Sequence, residues 1–194
     1  MKILNIHGYG GSAHNTAYKT LDELYPGQVI SNQMDYDTHT PDNVLSILER
    51  LAGSEKVNAI VGTSFGGFFA CCLSSKFDVP IILVNPCLLP FVTLRQTSSG
   101  YRSDYMARLF KLFGEHMGQL DSRYLSTIVG RSDELIDHAA TTRYLAKGRA
   151  WYEIDGSHQL ERTDELAAAF RDIFEYYHEN LANIQLGETL RCFK

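Results

Sequence analysis

The chain has 194 residues, of which 44% are apolar and 21% charged, and this composition excludes a disordered chain, a collagen-like repeat and a coiled coil. The 18 lysines and arginines face 23 aspartates and glutamates, so the net charge of −5 provides no general attraction for nucleic acid. The longest aliphatic run, 81–84, is far below the roughly 20 residues that span a bilayer. We expect one cytoplasmic domain over residues 1–194, with neither a membrane span nor a nucleic-acid partner.

Short apolar runs alternate with segments of helical periodicity along the chain. The runs lack clean polar alternation, which is typical of strands covered on both faces. The predicted strands are 2–6, 28–31, 57–62, 81–84, 125–129 and 151–154, and the predicted helices are 13–24, 41–52, 65–75, 135–147 and 163–180. This alternation predicts an α/β fold with about six mostly parallel strands and helices on both faces.

The segment 91–123 departs from this alternation because it places 33 residues between two predicted strands, about twice what a crossover helix needs. Its first part, 93–100, is polar and is predicted to be a loop. The remainder is predicted to form a helix with a broad apolar face, made of Tyr101, Tyr105, Met106, Leu109, Phe110, Leu112 and Phe113. We expect a small cap at 91–123, and we make no prediction for the tail at 181–194.

The pentapeptide Gly62-Thr63-Ser64-Phe65-Gly66 matches G-x-S-x-G, the nucleophile elbow. A serine on a tight strand-to-helix turn adopts strained backbone angles, and small neighbours two residues away on each side avoid collisions. The pattern alone is weak, since a glycine-rich turn can hold an incidental serine. Here a predicted strand precedes Ser64 and a predicted helix follows it. Ser64 is therefore the predicted nucleophile.

The loop after the first strand reads His7-Gly8-Tyr9-Gly10-Gly11, and its glycines let the backbone approach a substrate closely. We therefore assign Gly8 and Gly10 to substrate binding. Acyl transfer needs two backbone N–H groups to stabilise an oxyanion. The predicted donors are Phe65, at a helix N-terminus, and Tyr9, with Gly10 second to Tyr9. A phosphate cradle is the alternative, but neither G-x-G-x-x-G nor a Walker lysine is present.

Four histidines follow Ser64 and compete for the role of general base, because the chain order in this architecture is serine, acid, histidine. His138 and His178 lie in predicted helices and are expected to be solvated, and His116 lies in the 91–123 segment. His158 comes immediately after the last predicted strand, where a loop can bring its imidazole over the serine. His158 is the predicted base.

The carboxylate that orients His158 is expected one strand earlier in the chain. Asp133 follows the strand at 125–129, and the spacing of 25 residues from Asp133 to His158 accommodates one helix and one strand. Glu134 and Asp137 are nearby alternatives. The strand at 81–84 ends in Val84-Asn85-Pro86, which offers no carboxylate. Ser64, Asp133 and His158 thus fall in three loops at the same edge of the predicted sheet.

With these motifs placed, the chain resembles the α/β-hydrolase superfamily, and more narrowly the small bacterial esterases of the YqiA-like family. Val84-Asn85-Pro86 together with Pro90-Phe91 is the most family-like stretch. The resemblance implies a hydrolase of carboxylic esters or thioesters that needs no cofactor. Tyr9 stands where a phenylalanine is more usual, and 181–194 extends past the expected end.

The substrate is expected to be a small ester or thioester with a short to medium acyl chain. Leu88 and Phe91 are predicted to bind it beside Ser64, with a wall completed by Phe65, Phe68 and Leu89. Five basic and three acidic residues give 91–123 a net charge of +2, which raises acyl-CoA as a hypothesis, although a solvated face is the simpler interpretation.

Several alternatives remain open. Peptide, lactone or C–C bond cleavage would use the same residues, and a non-catalytic binding protein could share the scaffold. The latter would be expected to lose one of the three site residues. A metalloenzyme is disfavoured because no zinc-type spacing links the histidines or the four cysteines. The sequence makes no prediction of oligomeric state.

Overall fold

The computed structural model describes residues 1–97 and 102–192, and within them it contains six strands and seven α-helices. The strands are β1 (Ile3–Ile6), β2 (Val29–Ser31), β3 (Ala59–Thr63), β4 (Ile81–Val84), β5 (Leu125–Gly130) and β6 (Ala150–Ile154). The helices are α1 (Thr16–Leu24), α2 (Pro41–Glu55), α3 (Phe65–Leu73), α4 (Pro90–Thr97), α5 (Ser103–His116), α6 (Thr142–Leu145) and α7 (Thr163–Cys192), with a 3₁₀ turn at Met117–Gln119.

All six strands are parallel and lie in the order β2-β1-β3-β4-β5-β6. Every residue of β1 and β4 is buried, because helices cover the sheet on both sides. Leu4 and Ile6 pack with α2, α3 and α5 on one face, whereas Ile3 packs with α1 and α7 on the other. The carboxyl ends of β3, β4, β5 and β6 meet at one edge, where the loops that follow them can share a site.

Local sequence accounts for the starts of α1 and α2. The side chain of Asn15 accepts a hydrogen bond from the N–H of Tyr18 at the start of α1, and Thr40 does the same for Asn43 before Pro41 in α2. The helix predicted at 41–52 continues through Gly53, which lies inside α2. The helix instead ends at Glu55, and Lys56 takes the left-handed conformation, with φ of 52°.

Two predictions for connecting segments are wrong. The helix expected at 135–147 is present only as α6. Ahead of it, the Asp133 side chain accepts the N–H groups of Leu135 and Ile136 and that of Asp137 accepts the N–H of Ala140, so this stretch forms local turns. The loop expected at 93–100 is helical as far as Thr97, in α4, which begins at Pro90. Residues 98–100 and Tyr101 lie outside the described residues. Phe110, expected on the apolar face of α5, is 62% exposed.

Helix α7 continues well beyond the predicted end at residue 180 and includes most of the tail for which no prediction was made. Asp164 and Glu165 lie in its first turn, where carboxylates are favourable beside the helix N-terminus. In the described part of the chain, no helix combines the length and the apolar character needed to cross a bilayer.

Candidate active site

Ser64 lies on a sharp turn between β3 and α3, with φ of 52° and ψ of −122°. Its N–H donates to the carbonyl of Val84 at 2.9 Å, and its carbonyl accepts the N–H groups of Gly67 and Cys87, also at 2.9 Å. This positive φ is strained for a residue with a side chain. The main-chain hydrogen bonds hold Ser64 in that conformation, as a nucleophile elbow requires.

The two flanking glycines of this turn are needed for space. A Cβ at Gly62 would lie 2.6 Å from the carbonyl oxygen of Gly66, and a Cβ at Gly66 would collide with the carbonyl oxygen of Ile6. Glycine at 66 therefore lets the turn pack directly against β1, and glycine at 62 lets the first turn of α3 lie close to β3.

The three residues predicted to act together lie in hydrogen-bond contact. His158 Nε2 is 2.9 Å from Ser64 Oγ, and His158 Nδ1 is 2.8 Å from Asp133 Oδ2. The His158 side chain is 8% exposed and that of Asp133 is 2% exposed. With His158 neutral, its Nδ1–H donates to the carboxylate and the serine hydroxyl donates to its Nε2. This arrangement can remove a proton from Ser64.

Burial opposes the ionisation of Asp133, but hydrogen bonds from His138 and His158 outweigh burial and hold the pKa of this carboxyl well below its usual range. Asp133 Oδ1 also accepts the main-chain N–H groups of Leu135 and Ile136. The carboxylate is therefore charged in the folded protein, and a charged carboxylate can stabilise an imidazolium at His158.

The structure contradicts the expectation that His138 is solvated. His138 is buried, and its Nε2 lies 2.8 Å from Asp133 Oδ2. The expectation failed because the segment is not a helix: it turns back so that His138 faces the carboxylate five residues earlier. The alternative acids have other partners. Glu134 accepts the main-chain N–H of His158 at 3.0 Å, and Asp137 accepts that of Ala140.

Asn85 connects the loops that carry the site, and the sequence analysis assigned it no role. It is fully buried, has φ of 41°, and its side-chain amide donates to the carbonyls of Ser157 and His158, both at 3.1 Å. Its Oδ1 accepts the N–H of Gly130 at 2.7 Å. The motif Val84-Asn85-Pro86 was the available signal, but it was considered only as a family-like stretch and for its lack of a carboxylate.

The loop after β1 lies against the nucleophile. A Cβ at Gly8 would lie 2.8 Å from Ser64 Cβ, so Gly8 lets the backbone approach the serine. Within the described residues, the structure assigns no hydrogen-bond acceptor to the N–H groups of Tyr9 and Phe65. Gly10 has φ of 65°, a conformation that favours glycine.

His7 and Tyr36 fix this loop through hydrogen bonds to its main chain. His7 Nε2 accepts the N–H of Met34 at 2.8 Å, so the proton of the neutral ring is on Nδ1, which donates to the Gly8 carbonyl at 2.8 Å. Burial lowers the pKa of His7, although the hydrogen bond to Gly8 opposes this. The Tyr36 hydroxyl donates to the His7 carbonyl at 2.6 Å. Because the Gly8 carbonyl and the Tyr9 N–H belong to one peptide plane, His7 orients that N–H.

A cavity of about 230 Å³ opens beside Ser64 and His158. Its wall is mainly apolar and includes Ala17, Val84, Leu94, Leu135, Ile136, Leu160 and Leu166. Cys87 also lines it, and burial raises the pKa of this thiol to about 11, so the thiol remains neutral. The cavity can take an uncharged apolar group next to the serine hydroxyl.

The structure brings only some of the expected substrate-binding residues to this cavity. Gly8, Tyr9 and Phe65 line it, whereas Gly10, Leu88 and Phe91 do not. Leu88 is buried in the core, and Phe91 packs edge-on against Phe110 and Phe113. Phe91 faces α5 because the segment from Pro90 is helical rather than a loop along the site.

Most basic side chains described in 91–123 already face carboxylates. Arg108 forms a bidentate salt bridge with Asp42. The Glu115 carboxylate lies 3.6 Å from Arg108 and 3.9 Å from Lys111. Arg123 pairs with Asp121. Arg102 stacks on the ring of Tyr105. Three of the four basic side chains described in this segment thus face a carboxylate within the protein.

Among residues 1–97 and 102–192, no group of three or more histidine, cysteine, aspartate or glutamate side chains is arranged to hold a metal ion. His138 and His158 both direct a ring nitrogen at one oxygen of Asp133, at hydrogen-bond rather than metal-ligand distances.

Residues 2–176 match the uncharacterised protein family UPF0227. Among solved structures, the chain is similar to the esterase domain of a Rhodothermus marinus protein, with 14% identity, a TM-score of 0.71, and coverage of 92% of this chain and 86% of that one. It is similar to Est1E from Butyrivibrio proteoclasticus, with 17% identity, a TM-score of 0.68, and coverage of 93% and 88%.

It is also similar to the monoacylglycerol lipase of Paleococcus ferrophilus, with 13% identity, a TM-score of 0.60, and coverage of 87% of this chain and 91% of that one. At these identities the likeness concerns the fold. The predicted α/β-hydrolase fold, with six parallel strands in one sheet, is confirmed.

Proposed function

We propose that this chain, which belongs to the uncharacterised protein family UPF0227, the YqiA-like family, is a serine hydrolase of carboxylic esters or thioesters with short to medium acyl chains. One observation carries the proposal: the unbroken contact from Ser64 Oγ through the His158 ring to the Asp133 carboxylate. It lies beside an apolar cavity and the glycine loop after β1. The esterase and lipase folds of the structural neighbours support the same class of reaction.

In the proposed acylation step, Ser64 Oγ attacks the acyl carbonyl while His158 Nε2 takes the hydroxyl proton. The negative charge that develops on the carbonyl oxygen is stabilised by the N–H groups of Tyr9 and Phe65. His158 then gives the proton to the departing alcohol or thiol. Asp133 stabilises the imidazolium while it exists.

In the proposed deacylation step, a water molecule occupies the place of the departed alcohol or thiol. His158 removes its proton, and the resulting hydroxide attacks the acyl-serine carbonyl. The carboxylic acid leaves and Ser64 regains its proton from His158. The reaction consumes one water for each ester and needs no group beyond the chain itself.

The cavity favours a neutral, apolar acyl group, because apolar side chains dominate its wall. The matched charges of Arg108, Lys111 and Arg123 leave little excess positive charge for the phosphates of coenzyme A. We therefore favour simple esters over acyl-CoA. A butyryl-CoA kcat/KM well above that of a neutral butyrate ester would contradict this preference.

The direct test is hydrolysis of p-nitrophenyl acetate, butyrate and octanoate by the wild type and Ser64→Ala. We expect the variant to lose about 10³-fold or more in kcat, by analogy with other triads. Ser54→Ala is the matched control, since Ser54 is exposed on α2. An inactive wild type, or equal activity in the wild type and Ser64→Ala, would contradict the proposal.

A further inference from the structure

His138 makes a contact that the proposed mechanism does not use. Its Nε2 faces Asp133 Oδ2 at 2.8 Å, the same oxygen and the same distance as His158 Nδ1. The other carboxylate oxygen accepts the main-chain N–H groups of Leu135 and Ile136. The carboxylate thus has four hydrogen-bond partners, and only one of them is His158. An ionised carboxylate only accepts hydrogen bonds, so His138 carries a proton on Nε2.

The opposite ring nitrogen identifies the charge state of His138. Its Nδ1 lies 2.8 Å from the hydroxyl oxygen of Thr142, a fully buried residue. The alternative acceptor for that hydroxyl, the Pro86 carbonyl, is 3.5 Å away, at the limit of a hydrogen bond. The hydroxyl therefore donates to the nearer Nδ1, and this requires a neutral ring protonated on Nε2 alone.

We propose that His138 is a positioning residue for Asp133. It is a neutral imidazole whose Nε2–H tautomer is fixed by Thr142, and its N–H orients the carboxylate and stabilises the negative charge by a hydrogen bond. The inference rests on the proposed serine hydrolase function. A carboxylate with an additional donor attracts the proton of an adjacent imidazolium less strongly. His138 thereby fixes the carboxylate beside His158 Nδ1 and limits how strongly it attracts the proton that His158 takes from Ser64.

The other charged groups around His138 and His158 do not account for a weaker attraction of Asp133 for the His158 proton. The outer side of His138 opens to a depression lined by Arg131, Glu134, Asp137, Arg143 and Glu153. Arg143 pairs with Glu153, and Arg131 pairs with Asp155. On the His158 side, the Glu134 carboxylate accepts the main-chain N–H of His158, and the Glu161 carboxylate accepts the hydroxyl of Ser157. Two further titratable groups line the cavity beside His158 in the described part of the chain. Cys87 is neutral because burial raises its thiol pKa, and Tyr9 is neutral because its hydrogen bond to Asp37 raises its pKa.

The pH dependence of kcat/KM for p-nitrophenyl butyrate tests the inference. His138→Leu should lower kcat/KM at pH 8 about tenfold, well short of the roughly 10⁴-fold cost of an altered triad carboxylate. It should also move the midpoint of the acid limb upward by about half a pH unit. His138→Gln retains a neutral N–H donor and should restore most of the activity and the wild-type midpoint.

A purely structural role gives a different result. If His138→Leu only displaces Asp133, His158 loses its carboxylate and the acid limb moves downward, as in Asp133→Asn. A downward shift, an unchanged profile, or failure of His138→Gln to restore the midpoint would each overturn the inference. Thr142→Val removes the hydroxyl with little change of shape, and it should shift the midpoint upward. Thr142→Ser should not. This pair decides the question if His138→Leu does not fold.

A measurement without activity separates this inference from the proposed function. The ¹⁵N chemical shifts of the His138 ring at pH 8, assigned with His138→Gln, should show a protonated Nε2 and an unprotonated Nδ1. A protonated Nδ1 at that pH would overturn the inference, whether or not any ester is cleaved. An inactive wild type that retains the Nε2–H tautomer and its dependence on Thr142 would overturn the proposed function alone.

Discussion

The side-chain amide of Asn85 donates a hydrogen bond to the main-chain carbonyl of His158 at 3.1 Å. Asn85 directly follows β4, whereas His158 lies in the loop after β6, two strands away in the sheet. The same side chain also binds the N–H of Gly130 at the end of β5. One buried amide thus joins the loops that hold the base and its carboxylate to the strand beside the nucleophile.

The Asn85→Asp variant tests this connection. A carboxylate of the same shape keeps the acceptor for Gly130 but points an oxygen at the carbonyls of Ser157 and His158. We expect a loss of about 1–3 kcal/mol in the free energy of unfolding, as for a buried unsatisfied polar group. We also expect a fall in kcat of at least about tenfold, since small misplacements of catalytic groups are costly.

Asn58→Asp is the matched control for that experiment, measured by urea unfolding and by kcat. Asn58 is exposed and uses only its side-chain oxygen, which accepts the N–H of Lys2 at 2.8 Å, and an aspartate keeps that contact. Stability and activity should stay close to the wild type. Equal effects of the two substitutions would show that Asn85 has no special role.

His7 provides a prediction about pH and stability. Burial lowers its pKa in the folded state below the usual value of about 6.5, so between these two values the unfolded chain binds more protons than the folded one. The stabilisation is therefore complete above about pH 6.5 and is lost as the pH falls toward the folded-state pKa. The difference in unfolding free energy between wild type and His7→Gln should shrink from pH 8 to pH 5. If the difference in unfolding free energy stayed constant between pH 8 and pH 5, His7 would not be stabilising the fold as a buried neutral imidazole.

Asp133 has the corresponding dependence in acid. The pKa of Asp133 is lowered in the folded state from an unfolded value of about 3.9. Its ionised form therefore stabilises the protein fully above about pH 3.9, and this stabilisation is lost as the pH falls through the folded-state pKa. Wild type should be more stable than Asp133→Asn at pH 6, and the difference should narrow below pH 4 in urea titrations. Asp164→Asn, an exposed control, should change stability far less, because solvent screens its charge. A difference that widened in acid would contradict the assignment.

The cavity predicts selectivity for acyl-chain length. Ala17 is buried in its wall, and Ala17→Leu would place additional carbon atoms in space available to the acyl chain. We expect kcat/KM for p-nitrophenyl octanoate to fall about tenfold or more relative to acetate, in the range that apolar pockets give for small changes in volume. Ala107→Leu makes the same change on the exposed side of α5. An unchanged octanoate-to-acetate ratio in Ala17→Leu would place the acyl chain elsewhere.

The strands could be predicted from sequence because their signal is local. All six begin and end within two residues of the prediction, since short apolar runs between helical segments have few interpretations in a chain of this composition. Parallel strands also bring their carboxyl ends to one edge. That topological rule made it possible to propose Ser64, Asp133 and His158 as one site before any distance was known.

The contacts around these three residues could not be predicted, because each depends on chain segments far apart in sequence. The burial of His138 follows from hydrogen bonds that fold 133–142 back on itself, whereas its sequence has helical periodicity. Asn85 donates to carbonyl groups more than 70 residues away in the sequence. Every residue has such a carbonyl group, so the pattern of side chains does not indicate which of them Asn85 contacts. The cavity wall depends on helix packing, which periodicity does not describe.

Covalent labelling of Ser64 tests the central claim most directly. A fluorophosphonate reacts with a serine hydroxyl that an adjacent base has activated, and mass spectrometry of the digested protein locates the label. We predict one label per chain, on the peptide containing Ser64, with loss of labelling in Ser64→Ala and slow labelling in His158→Gln. A wild type that remains unlabelled, or that is labelled at another serine, would contradict the assignment of Ser64 as the nucleophile.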